Sequence, residues 1–135
     1  MIQIKTGMMN ERSWIVSEEH LASAFGSGLV DVLATPVLVG FCEETSRMMI
    51  DPHLPEEQNT VGTFVSLSHT AATPLGMKVT LRATLTAVEG RKLTFIVECR
   101  DEIESIGQCE HTRFIIDSAR FETGIAAKTA KKTST

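Results

Sequence analysis

The chain has no tyrosine, one tryptophan and an aromatic share of only 5%, and its acidic residues outnumber its basic ones to a net charge of −4. A nucleic-acid surface needs a basic footprint and stacking platforms, so nucleic acid is excluded as a partner. No apolar run, "VLVGFC" being among the longest, approaches the ~20 residues that a membrane helix requires. No membrane partner is expected. The start, "MIQIKTGMMNERSW", lacks a basic stretch followed by a long apolar core, which argues against secretion. Three cysteines, Cys42, Cys99 and Cys109, are odd in number and form no CxxC pair, so neither a disulfide framework nor a zinc knuckle is supported. A reducing cytoplasm fits. The histidines have neither i,i+4 partners nor nearby carboxylate sets at ligand spacing, so no metal and no cofactor is expected.

What remains is ordinary globular material: 135 residues, 42% hydrophobic, enough for one core and too few for two. Residues 1–122 are expected to form the domain. The tail 123–135 holds the only basic cluster, "AAKTAKKTST", whose small and polar residues read as a flexible terminus. In "SWIVSEEHLASAF", Trp14 to Val16 read as a short strand, and Ser17 as the cap of a short helix that Gly26 and Gly28 end. One long helix follows, with Thr35 as N-cap, Pro36 in the first turn, and a stop after Ile50 at Asp51-Pro52. Val37, Phe41, Glu44 and Met48 form one stripe, and Leu38, Cys42, Thr45 and Met49 the next. Such a helix should be enclosed by a sheet.

The second half supplies strands. Val61 to His69 alternates, with Val61, Thr63, Val65, Leu67 and His69 on one face. "KVTLRATLTAV" and "KLTFIVECR" form a hairpin about "EGR", and "QCEHTRFIID" is the last strand. A strand, a long helix and a four-strand meander predict an α+β fold: an antiparallel sheet wrapped around one hydrophobic helix.

The stretches "VLATPVLVGFCEE", "VGTFVSLSHTAATPLGMKVTLRATLTAVEGRKLTF" and "IGQCEHTRFIID" resemble the hot-dog-fold thioesterases, and most closely the fluoroacetyl-CoA-thioesterase-like family. The likeness runs from about Trp14 to Phe121. It implies hydrolysis of a small acyl-CoA thioester by a homodimer with sites at the subunit interface. It also implies catalytic roles for Thr35, Glu43 and His69 and substrate contacts by Gly62 and Arg113. The fluoroacetate enzyme of that family has a longer segment with a phenylalanine gate before the helix. Here stands the short "FGSGLVDVLA", so no large preference for fluoroacetyl-CoA is expected.

Thioester hydrolysis needs a nucleophile at the carbonyl and donors for the oxyanion. Glu43 could deprotonate a water or attack the carbonyl itself, Thr35 could orient Glu43 or the water, and His69 could polarise the reacting group or protonate the leaving thiolate. Backbone N–H groups near Gly62 or at the helix N-terminus could hold the oxyanion. Eight helical residues span about 12 Å, so Thr35 and Glu43 cannot touch within one regular helix. Either the helix starts later, or the groups meet through substrate or across a subunit boundary. Each residue also has a plain structural reading: a cap for Thr35, an i,i+4 pair with Arg47 for Glu43, a bulge at Gly62, and an exposed strand position for Arg113. His20, His53 and His111 read as solvated or structural. Two other functions fit the same fold, a hydratase or dehydratase of acyl-CoA and a non-catalytic acyl-CoA binder.

Overall fold

Period-two alternation of apolar residues lays out most of a sheet. In the computed structural model, which describes residues 4–133, the strands are β1 (Met9–Ile15), β2 (Gln58–His69), β3 (Lys78–Glu89), β4 (Lys92–Asp101) and β5 (Ser105–Asp117). A short α1 (Ala22–Phe25) and the long α2 (Thr35–Ile50) lie between β1 and β2, and α3 (Ser118–Thr133) follows β5. Every strand pairing is antiparallel, in the spatial order β1-β3-β4-β5-β2. The expected α+β architecture, one antiparallel sheet around one long helix, is what the chain adopts.

The expected four-strand meander is a three-strand one. Strands β3, β4 and β5 follow one another, but β2 pairs with β5, and β1 takes the place beside β3. The cause lies in residues 70–77, which link β2 to β3. They do not turn back as a hairpin: the Leu33 N–H donates to the Thr73 carbonyl at 2.9 Å and Val32 bridges to Pro74. These bonds draw the link across the start of α2, so β3 begins on the far side of the helix.

Inward residues of β3 and β4 (Val79, Leu81, Ala83, Leu85; Leu93, Phe95, Val97, Cys99) pack against Leu38, Phe41, Cys42, Met49 and Ile50 of α2. Each fully buried large side chain contributes roughly 1.5–3 kcal/mol. Trp14 stacks on Phe41 with ring centroids 4.1 Å apart, which fixes β1 over the helix. The second predicted stripe is buried throughout, with Thr45 satisfied by its hydroxyl on the Phe41 carbonyl. In the first, Glu44 and Met48 lie outside the core, because the sheet covers one broad face of α2 rather than its whole circumference. All three cysteines are free and buried, and the Cys42 and Cys99 sulfurs are 3.7 Å apart. The thiol of Cys109 pushes the Cys42 pKa far up, with Cys99 and burial adding to it.

The terminus read as flexible is helical. Alanine and lysine are strong helix formers, and that preference carries α3 out from the sheet with Phe121 and Ile125 about half exposed. Residues 1–3 and 134–135, the ends of the expected domain and tail, lie outside the described residues. Among the described residues no helix is long and apolar enough to cross a membrane.

Candidate active site

Thr35 is not the helix cap. Ala34 occupies that position in an extended conformation, Thr35 is the first helical residue, and its side chain makes no cap bond. The freed hydroxyl lies 2.8 Å from Nδ1 of His69 instead. Three backbone bonds bring the pair together: Leu33 N–H to Thr73, Ala34 N–H to His20, and Thr70 N–H to Ile106. The small residues after His69 serve this packing, since Ala71 and Ala72 leave room beside the helix start. Thr35, His69, Ala22, Val32 and Ala71 line a cavity of about 330 Å³.

His69 is half-buried, and its Nε2 is buried with no hydrogen-bond partner. A polar atom in that state has a strong need for a partner, and the cavity is where one can enter. Burial lowers the imidazole pKa below its usual value, against an opposing effect of the Ala71 backbone. The ring is therefore neutral near pH 7. Where the Thr35 hydroxyl donates to Nδ1, the buried Nε2 carries the proton and is left as a donor.

Glu43 belongs to a second group. Helix α2 is regular from Thr35 onward, so the sequence argument stands and the two side chains do not meet within one chain. Glu43 turns toward β2: a Cβ built on Gly62 would lie 3.1 Å from its Oε2, 3.1 Å from Cε1 of His111 and 3.3 Å from Nη1 of Arg113. The glycine leaves the space in which these groups converge. The expected pair of Glu43 with Arg47 does not form, because Arg47 reaches Asp51 at 3.5 Å. Arg113 is not an exposed strand residue either. It is 5% exposed, with Nε donating to Thr60 Oγ1 and Nη2 to the Thr60 carbonyl, each at 2.9 Å. Burial lowers its pKa from the usual arginine value, opposed by the charges of Asp51 and Glu43.

The bulge read at Gly62 is present and changes the face assignment of β2. Gly62 pairs with Arg113 and Phe64 with Thr112, so Thr63 is the extra residue. Thr60 and Gly62 face inward before the bulge, and Val65, Leu67 and His69 after it. Val61 and Thr63 are therefore not on the face of His69, as strict alternation had them. Strict alternation over the seven positions from Gly62 to His69 would put them on opposite sides of the sheet, and the bulge brings them to the same one.

Sequence reasoning missed His111. Its ring is 1% exposed, with Nδ1–H donating to the Phe64 carbonyl at 2.7 Å and Nε2 accepting from Arg113 at 3.1 Å. The available signal was the His-x-Arg spacing, which puts both side chains on one face of β5. A larger cavity, about 530 Å³, lies on the opposite face of the sheet around Arg82, Glu98 and Arg100, and holds none of the expected site residues. Among the described residues no group of His, Cys, Asp and Glu is arranged to hold a metal ion.

The profile of the fluoroacetyl-CoA-specific thioesterases, FlK, matches residues 16–119. The chain belongs to that family. Over 99 residues it is 36% identical to a fluoroacetyl-CoA thioesterase of Streptantibioticus cattleyicolor, covering 73% of this chain and 71% of that one. A crystal structure of the thioesterase FlK superposes with a TM-score of 0.89 at 28% identity, covering 94% and 98% of the two chains. A thioesterase superfamily member from Thermus thermophilus superposes with a TM-score of 0.92 at 26% identity over 100% of both. These relatives share the sheet and the enclosed helix.

Proposed function

We propose that the chain hydrolyses a small acyl-CoA thioester to free acid and CoA, with Thr35, Glu43 and His69 as catalytic residues and Gly62 and Arg113 as substrate contacts. The observation that carries this reading is the buried, unpartnered Nε2 of His69 beside the Thr35 hydroxyl at the cavity. A neutral N–H there stabilises the charge that builds on the leaving sulfur, and the proton that ends on CoA comes from the attacking water. Glu43 supplies the attack, directly as a carboxylate nucleophile or through a water that it deprotonates. Labelled oxygen from water entering the Glu43 side chain in a single turnover marks the direct route.

The two groups of residues stand apart in one chain, so the reading includes a homodimer. Strand β2 ends the sheet, carries both Gly62 and His69, and exposes Phe64 and Val65. Pairing of two β2 edges would cover that apolar surface and bring Thr35 and His69 of one copy toward Glu43 of its partner. The free thiols and a CoA substrate support a reducing cytoplasm as its compartment.

Leu29, in the segment before α2, is 97% exposed and closes nothing over His69. A small apolar pocket separates near-isosteres by roughly 10–200-fold at most, so the preference for fluoroacetyl-CoA over acetyl-CoA does not exceed that bound. A panel of acyl-CoAs followed for free thiol tests the whole reading. Thiol release supports it, whereas water addition without thiol marks a hydratase and binding without turnover marks an acyl-CoA binder.

A further inference from the structure

His111 takes no part in the steps above, yet both of its nitrogens are committed. A guanidinium has donors only, so Nε2 must accept from Arg113 Nη1, and Nδ1 must then carry the proton given to the Phe64 carbonyl. That arrangement fixes a neutral ring and one tautomer. Phe95 lies stacked beside the same ring with centroids 6.1 Å apart.

The two bonds flank the irregularity in β2. Phe64 is the first residue after the bulge, and Arg113 is the strand partner of Gly62, the last residue before it. One imidazole thus ties down both sides of the bulge. It is also one of three acceptors of Arg113, the other two being the hydroxyl and carbonyl of Thr60, itself held by its hydroxyl on Asp51 Oδ1 at 2.7 Å. His111, Arg113 and Glu43 all approach within 3.3 Å of the same point above Gly62. A rotation of the guanidinium would change the charge that Glu43 faces.

We propose that His111 is a positioning residue for the hydrolysis: it staples the β2 bulge to β5 and aims the Arg113 guanidinium at the Glu43 carboxylate. This rests on the assignment of Glu43 to the chemistry. Small misplacements of aligned groups cost large factors in rate. His111 itself touches no substrate in this reading, so the larger loss falls on kcat, and any change in KM reports the substrate contact of Arg113.

Four variants test it with acetyl-CoA as substrate: His111→Phe, His111→Gln, Arg113→Met and the double variant His111→Phe with Arg113→Met. Phenylalanine keeps the ring and removes both bonds, whereas glutamine can place an amide oxygen near the old Nε2. Expected are a fall in kcat of at least ~10-fold for His111→Phe with KM within about twofold, recovery of most of kcat in His111→Gln, and no further loss when His111→Phe is added to Arg113→Met. Additive losses in the double variant, or unchanged kcat in a folded His111→Phe, overturn the proposal. If His111→Phe does not fold, ¹⁵N NMR of the ring in the otherwise intact protein decides. The Nδ1–H tautomer, with an Nε2 shift that moves on Arg113→Met, supports it, and an Nε2 shift indifferent to Arg113 overturns it. Failure of the unaltered protein to release thiol from any acyl-CoA would sink the thioesterase reading, while the NMR result would still stand or fall by itself.

Discussion

Glu44 faces β1, where Arg12 holds its carboxylate at 2.8 Å on a half-exposed flank, whereas its neighbour Glu43 turns to Gly62 and Arg113. Adjacent identical residues thus make an internal control. Glu43→Gln removes the charge but keeps the shape, and kcat should fall at least ~10²-fold with the thermal midpoint little changed. Glu44→Gln loses an exposed ion pair worth about 0.2–1 kcal/mol and should leave turnover intact. A dead Glu44→Gln beside an active Glu43→Gln would show that the other carboxylate does the chemistry. Asp101 has a different task. Burial raises its pKa, but N–H bonds from Ile103 and Glu104 and the Thr73 hydroxyl outweigh that and hold the carboxyl below its usual 3.8. It closes the β4–β5 turn and pins the loop after His69. Asp101→Ala should cost about 1.5–3 kcal/mol by denaturant titration. A depressed folded-state pKa gives stability that is fully present above the unfolded value and lost as pH falls through the folded one. The stability of Asp101→Asn should therefore decline less between about pH 4 and 2 than that of the unaltered protein, and parallel declines would refute the assignment.

Among the elements, those written in local chemistry were legible in the sequence. Thr35-Pro36 and Asp51-Pro52 bracket α2 to within a residue, and alternating valines, leucines and threonines mark β3 and β4. Non-local facts were not legible. That β2 neighbours β5 depends on bonds from Leu33 to Thr73, forty residues apart in sequence, and the bulge at Thr63 depends on the fit of β2 to β5. Gly107 is another such case: a Cβ there would run into the Ser68 carbonyl, a crowding no spacing rule reveals. The candidate site was half legible for the same reason. The meeting of Thr35 with His69 follows from the packed link after β2, and the burial of Arg113 and His111 from the inward face of β5. Gly62 offers a test at this scale. In Gly62→Ala the new methyl would sit 3.1 Å from Glu43 Oε2, closer than side chains ordinarily pack, with no φ barrier to the substitution. The carboxylate must move. Turnover should drop by roughly 10-fold or more while the circular dichroism spectrum and the oligomeric state hold. A fully active Gly62→Ala would mean that Glu43 does not need its present position.

At the scale of the whole molecule, the separation of the two groups on α2 makes the proposed dimer testable. Thr35 and Glu43 lie about 12 Å apart along a regular helix, so a site that uses both joins them through substrate or, in the proposed dimer, takes them from different copies. In a two-fold dimer each site then holds His69 and Thr35 from one protomer and Glu43 from the other. Consider His69→Ala and Glu43→Gln, each inactive as a homodimer. Mixed after unfolding and refolding together in equal amounts, they form heterodimers in about half of the assemblies. In every heterodimer one site receives both substitutions and the other receives neither. The mixture should recover about a quarter of the unaltered activity, and the recovered fraction should follow the product of the two variants' mole fractions, as random pairing gives. If the three residues instead worked within one protomer, every site in the mixture would carry one substitution and no activity would return. Sedimentation of the refolded mixture as a dimer excludes failed assembly as the cause of a null result, so absence of recovery in a proven dimer would put the site inside a single chain.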